Sequence, residues 1–331
     1  MNIYFAPLEG VTRCTFRNTY NKYYKGVDKF FAPFISPADN CVMNPKEKKD
    51  VLPENNEGVF LVPQILASKS HHFNAAAEAL CDMGYNEINL NLGCPSGTVC
   101  AKGKGSGFLN RTGLLEKFLD EIFDFSGKKN IRLSIKTRIG YTDCDEWEEI
   151  LEIYNKYPIS ELIIHPRLRT DYYREPIRME QFVYALKNSK NPVVYNGEIN
   201  TIDDIETVRK VIKENNPNMP DALMIGRGFL RNPEFIEEIR AWENDNQTDN
   251  NNASAIGSHS SEFDWKRFRL YHDDLYNQYK EMMSPDINVL FKMKEQWTYW
   301  REMFTDDEKI VKKILKAKYF SEYDIEVNKL F

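Results

Sequence analysis

The sequence predicts an α/β protein, a (β/α)8 TIM barrel followed by a small C-terminal helical domain, on three observations. Eight short runs rich in Val, Ile, Leu and Phe alternate with amphipathic stretches. They occupy about 240 residues, the usual size of such a barrel. The chain beyond them keeps a helical spacing of apolar residues with no further strand-like run.

The runs lie near Ile3 to Leu8, Lys29 to Ile35, Val59 to Leu66, Glu87 to Leu92, Arg132 to Arg138, Glu161 to Pro166, Pro192 to Asn196 and Ala222 to Ile225. Helices are expected to start near Thr12, Ser70, Thr112, Cys144, Arg178, Thr201 and Asn232, several of them at a Thr, Ser or Asn able to cap. A doubly wound sheet would carry a glycine fingerprint after its first strand, and Ala6-Pro7-Leu8-Glu9-Gly10 lacks it. The expected domains are a barrel over 1–243, an Asn/Ser/Asp/Gly-rich linker or mobile loop over 244–262, and a helical domain over 263–331. In the last, Trp265, Phe268, Tyr271, Leu275 and Tyr279, then Leu290, Met293, Trp297 and Trp300, recur at helical spacing.

Composition narrows the class. The chain has 331 residues, 42% of them hydrophobic, without a run long enough to cross a membrane, and Met1 to Pro7 shows no export leader, so a cytoplasmic protein is expected. Six cysteines are too few for a disulfide scaffold of this size and fall in no Cys-x-x-Cys or Cys/His metal pattern, so reduced thiols and no metal are expected. A formal net charge of -6 argues against DNA or indiscriminate nucleic-acid binding, so an RNA partner needs a local basic face. A monomer is expected.

Active sites of such barrels sit at the carboxyl ends of the strands, and unusual polar residues fall there. Gln64 lies in the third strand, Asn91 and Cys94 at the end of the fourth, Lys136 and Arg138 at the fifth, His165 and Arg167 at the sixth, and Asn196 at the seventh. Singly, each is as well explained by a turn or a core hydrogen bond. Together they imply a polar ligand pocket. Asn196-Gly197-Glu198 and Gly226-Arg227-Gly228 follow the last two strands, where glycine backbone and a guanidinium suit a phosphate.

Taken in order, Ala6-Pro7-Leu8-Glu9-Gly10-Val11-Thr12, Asn91-Leu92-Gly93-Cys94-Pro95, Lys136-Thr137-Arg138, His165-Pro166-Arg167, Asn196-Gly197-Glu198 and Gly226-Arg227-Gly228, with Gly103 to Gly107 after the cysteine, resemble the motifs of tRNA-dihydrouridine synthases. Lys292-Met293-Lys294-Glu295-Gln296-Trp297 is similar to a stretch of that family's helical RNA-binding domain. Leu8 stands where the family usually has Met, and Pro166 where it commonly has Gly.

The resemblance implies FMN, reduced by NADPH or NADH, passing hydride to carbon 6 of a uracil in tRNA while Cys94 protonates carbon 5. A thiol, with an ordinary pKa of about 8.5, is mostly protonated at neutral pH yet able to yield its proton. Cys100 is the competing thiol, and Gly103 to Gly107 form either a closing loop or a passive turn. The implied flavin contacts are Pro7, Leu8, Gln64, Lys136, His165, Asn196, Gly197, Glu198, Gly226 and Arg227. Asn91, Arg138 and Arg167 would meet the uracil or its backbone, with Asn91 as well placed to shape the turn before Gly93. Lys102, Lys292 and Lys294 are the implied contacts to the rest of the tRNA, although residues 263–331 hold 13 basic and 13 acidic side chains, so only their distribution makes a basic face. The rival readings are a flavin barrel acting on a free pyrimidine or enone, and a noncatalytic tRNA-binding protein.

Overall fold

Short apolar runs form parallel strands in this chain, most of them separated by helices. The computed structural model describes residues 1–248 and 262–331. The strands are β1 (Asn2–Phe5), β2 (Lys29–Phe31), β3 (Leu61–Val62), β4 (Gln64–Ile65), β5 (Glu87–Leu92), β6 (Arg132–Arg138), β7 (Leu162–His165), β8 (Val193–Tyr195) and β9 (Ala222–Ile225). They pair in the order β3-β2-β1-β9-β8-β7-β6-β5-β4 with parallel neighbours throughout. Only Pro63 separates β3 from β4. It has no N–H to give the ladder, so the expected third strand is split there and the nearly closed barrel completes its circuit through that break. The nine segments are therefore the eight expected runs, and the (β/α)8 barrel with a helical C-terminal region is the fold.

The helices are α1 (Cys14–Tyr23), α2 (Pro45–Val51), α3 (Ser70–Asp82), α4 (Gly97–Cys100), α5 (Thr112–Lys128), α6 (Glu146–Tyr154), α7 (Met179–Asn188), α8 (Ile202–Asn215), α9 (Arg227–Arg231), α10 (Phe235–Thr248), α11 (Trp265–Met282), α12 (Asp286–Trp300), α13 (Glu308–Lys316) and α14 (Phe320–Val327). The starts at Ser70 and Thr112 are as expected, and the other five fall one to three residues later than expected. Helix α2 was not expected. Asn44 caps it, accepting from the Lys46 and Glu47 amides at 3.0 Å each, while the Glu47 carboxylate accepts from the Asn44 amide at 2.8 Å.

Two compact units result. One comprises Met1–Pro7, Asp28–Glu198 and Asp203–Ile225, the other Leu8–Val27, Ile199–Ile202 and Gly226–Phe331. This grouping differs from a boundary at 243, because α1 packs on α11: Tyr24 and Tyr271 meet edge to face at 5.3 Å, and Arg267 lies 4.9 Å over the Tyr24 ring. Helix α10 runs through 244–248, and 249–261 of the expected linker lie outside the described residues. In the second unit Trp297 Nε1 donates to the Tyr323 hydroxyl at 2.8 Å, and that hydroxyl meets His272 Nε2 at 2.7 Å. These bonds pair the polar atoms of His272, Trp297 and Tyr323 within a core that also holds Phe268, Tyr271 and Trp300.

Inside the barrel, Tyr4, Ala6, Phe31, Val62, Ile163, Val194, Ala222 and Met224 form a buried apolar cluster. At the amino end of the strands, Lys29 pairs with Glu87 at 2.7 Å and Glu161 at 3.2 Å. The charges at that end are matched. At the carboxyl end Lys136 has no such partner among the described residues, and the candidate site lies there.

Candidate active site

Side chains alternate along a strand, so Asn89 and Asn91 of β5 share a face, as do Ser134, Lys136 and Arg138 of β6. The register sets Gln64 beside Asn89, Asn89 beside Ser134, and Asn91 beside Lys136. The Gln64 amide donates to Asn89 at 2.8 Å, Asn89 donates to Ser134 at 2.8 Å, and Asn91 donates to the Gln64 carbonyl oxygen at 2.7 Å. All four side chains are buried, and the chain of bonds fixes which end of each amide faces its neighbour. One hydrogen of Gln64 and one of Asn91 remain beyond these bonds.

The Cys94 turn hangs from this network. The Asn91 side-chain oxygen accepts from the Gly93 and Cys94 amides at 3.0 Å each, so Asn91 shapes the turn. Arg138 Nε donates to the Gly93 carbonyl at 3.0 Å. The Cys94 carbonyl accepts from the Ser106 amide at 3.1 Å and the Ser106 hydroxyl at 2.8 Å, which ties the cysteine to the glycine-rich segment. A Cβ on Gly105, whose φ is +57°, would sit 2.8 Å from the Cys94 carbonyl, and one on Gly107 only 2.5 Å from the Cys100 Cα. These glycines serve close packing against the cysteine segment. The two thiols differ: Cys100 is buried, with its sulfur 3.5 Å from the Cys94 carbonyl, whereas Cys94 is partly exposed.

Lys136 is half-buried, its ammonium is enclosed by protein, and among the described residues it has no hydrogen-bond or ion-pair partner. Exclusion of water, then repulsion by Arg138, pulls it down from 10.5 to about 7, against the opposing influence of Cys94. Arg138 is also buried without a carboxylate. Besides Gly93 it donates to the Leu168 carbonyl at 2.7 Å and the Tyr172 carbonyl at 2.7 Å, and Tyr173 lies 5.2 Å from it, ring to guanidinium. Arg138 thus staples the loops after β5 and β7 together. An enclosed, unpartnered cation at this end fits an electron-rich or anionic ligand.

Arg167 donates to His165 Nε2 at 3.2 Å and pairs with Glu198 at 3.2 Å. A guanidinium cannot accept, so Nε2 of His165 is the acceptor and its ring proton sits on Nδ1. Asn196 donates to the Met224 carbonyl at 2.7 Å. Gly197 is required where it stands, because a Cβ there would lie 2.0 Å from the Tyr195 hydroxyl oxygen.

The barrel unit thus brings Gln64, Asn91, Cys94, Lys136, Arg138, His165, Arg167 and Glu198 to one end of β4–β8. Pro7 follows β1 and Lys102 is exposed beside the cysteine segment. Leu8, Gly226, Arg227, Lys292 and Lys294 belong to the second unit. There Leu8 opens a turn, its amide donating to Thr12 Oγ1 at 2.9 Å, and Gly226 and Arg227 lead from β9 into α9. Lys292 donates to the Gly10 carbonyl at 2.5 Å and Lys294 to the Ala317 carbonyl at 2.8 Å, so both ammonium groups are held by their own chain. The sequence reading missed Asn89 and Ser134. The alternation in Glu87-Ile88-Asn89-Leu90-Asn91 was the available signal for the first.

The family model described as dihydrouridine synthase matches residues 4–323. A probable tRNA-dihydrouridine synthase of Staphylococcus epidermidis is 31% identical over 236 residues, 70% of this chain and 70% of that protein. One from Staphylococcus aureus is 30% identical over the same shares, and the probable tRNA-dihydrouridine synthase 2 of Bacillus subtilis is 28% identical over 234 residues, again 70% of each. A solved structure, N-(5'-phosphoribosyl)anthranilate isomerase from Pyrococcus furiosus, aligns with 74% of this chain and 99% of its own at 13% identity and a TM-score of 0.44, too distant to bear on activity. No described helix is long and apolar enough to cross a membrane. By the span of the family match and the identity of these relatives, the chain belongs to the dihydrouridine synthase family of oxidoreductases.

Proposed function

We propose that this protein reduces the 5,6 double bond of a uridine in tRNA, with FMN as its flavin and NADPH or NADH as the electron source. The observation that carries the reading is the unpartnered Lys136 ammonium beside the partly exposed Cys94, both at the carboxyl ends of adjacent strands. Bound FMN supplies the hydride for carbon 6 of the uracil. Lys136 stabilises negative charge on the electron-rich edge of the flavin pyrimidine, and Gln64 offers that edge its remaining amide hydrogen. Cys94 gives its proton to carbon 5, held in place by Asn91 from below and by Ser106 through its carbonyl. His165 presents its Nδ1 hydrogen to the flavin side chain, and Asn196, Gly197, Gly226 and Arg227 serve the phosphate. Glu198 keeps Arg167 oriented. Arg138, Arg167 and the free hydrogen of Asn91 serve the uracil, with Lys102, Lys292 and Lys294 adding positive charge toward the RNA.

Purified protein is expected to be yellow and to convert uridine to dihydrouridine in unmodified tRNA, read by mass spectrometry of the digested nucleosides. Turnover of free uridine at the rate of tRNA would favour the free-pyrimidine reading. A colourless protein without affinity for FMN would defeat both.

A further inference from the structure

Asp39 sits in a two-residue turn closed by the Ala38 amide to the Cys41 carbonyl at 2.9 Å and the Cys41 amide to the Ala38 carbonyl at 3.1 Å. The turn offers its carboxylate to the start of α3. There His71 and His72, neighbours that diverge around a helix, both turn Nε2 to one Asp39 oxygen, at 3.5 and 2.7 Å. The three donor atoms lie within 4.8 Å of one another. We infer that Asp39, His71 and His72 form a binding site for a divalent transition-metal ion of the zinc class.

Two imidazole nitrogens and a carboxylate suit zinc, copper or nickel, whereas calcium and magnesium take oxygen ligands. Bonds of about 2.0–2.2 Å to a tetrahedral ion place its ligands about 3.4 Å apart. The His71 to Asp39 distance of 3.5 Å already meets that spacing. The exposed Asp39 carboxylate, now hydrogen-bonded to His72 at 2.7 Å, has to withdraw from that ring by somewhat more than half an ångström (~0.7 Å). The His72 ring is largely buried, which holds the donor in place for a metal. The position also attracts a cation within this chain: Lys69 Nζ lies 3.6 Å from the same Asp39 oxygen, on a side chain exposed enough to swing into water. A bound ion would clamp the segment after β2 to α3. Ser36 and Pro37 of that segment accept from Lys104 of the glycine-rich loop at 3.1 and 3.2 Å, so the clamp stands one contact from the segment that holds Cys94.

The test is calorimetric titration of chelator-treated, full-length protein with Zn2+. Asp39→Asn and His71→Gln change well-exposed side chains and leave the core intact. Each is expected to weaken Zn2+ binding by at least about tenfold, and Lys69→Ala to strengthen it by removing the competing ammonium. Circular dichroism checks that each variant is folded. Wild-type Zn2+ affinity in both ligand variants, or no binding by the parent protein, overturns the assignment. FMN retention plays no part in the readout, so the outcome is independent of the proposed reaction.

Discussion

Replacing Lys136 by Met should make the flavin-free protein more stable, because the fold holds that charge at a cost. In the unfolded chain the ammonium titrates near 10.5, and in the folded chain enclosure by protein and the neighbouring Arg138 bring it to about 7. A cation whose folded value is depressed destabilises the folded state most at low pH, where it is charged in both states. Between about 7 and 10.5 the folded protein releases the proton first and stability rises with pH, and above 10.5 no difference remains. At about 1.4 kcal/mol per tenfold, the fall from 10.5 to about 7 caps the effect at roughly 5 kcal/mol. Residual solvent access to a half-buried side chain reduces this to about 2–3 kcal/mol. Urea unfolding followed by circular dichroism should show Lys136→Met more stable than the parent by that amount near pH ~6, with the gap closing toward pH ~10. The same variant should bind FMN more weakly, and FMN affinity of the parent should fall as pH rises past about 7. A gap that is absent near pH ~6, or constant across the range, refutes the reasoning.

Asn91→Ala strips the acceptor from the Gly93 and Cys94 amides. At about 1–3 kcal/mol for each unsatisfied buried group, it should destabilise the protein by about 2–4 kcal/mol and slow uridine reduction at least about tenfold, measured by urea unfolding and single turnover. Asn91→Asp keeps that acceptor and should hold the turn better, losing the donor to Gln64. Gly107→Ala, with its new methyl 2.5 Å from main chain, should cost about 1–3 kcal/mol or more in the same unfolding assay, whereas Gly113→Ala, with nothing within 4 Å, should be neutral or stabilising. Arg227→Ala should lower FMN affinity about tenfold, read by flavin fluorescence, and unchanged affinity would move the phosphate elsewhere.

The barrel was legible because each strand is a short aliphatic run bounded by turn residues, and that pattern survives without any knowledge of partners. Two features were missed although local chemistry announced them. Asn44-Pro45-Lys46-Glu47 is a capping box with proline in the first turn, and it starts α2. Pro63 within an apolar run marks the break between β3 and β4. Position at the strand ends singled out Gln64, Asn91, Cys94 and Lys136, which the fold brings to one end of β4–β6. The division of labour among them was not readable, because it depends on partners far away in the sequence. Arg138 could not be known to serve carbonyls at 93, 168 and 172, nor Lys292 the carbonyl of Gly10, until the chain had folded. The cluster of Asp39 with His71 and His72 escaped notice for the same reason, since Asp39 lies in the segment after β2 and the two histidines in α3.

The proton donor decides the account. Cys94→Ala and Cys100→Ser, each loaded with FMN, should be given tRNA lacking dihydrouridine, with flavin reduction by NADPH and dihydrouridine formation followed separately. Cys94→Ala should keep its flavin and accept electrons from NADPH at an unchanged rate, yet lose about a hundredfold or more in uridine reduction, while Cys100→Ser retains most of it. Full uridine reduction by Cys94→Ala, or a collapse in Cys100→Ser alone, would contradict the role of Cys94 as the acid.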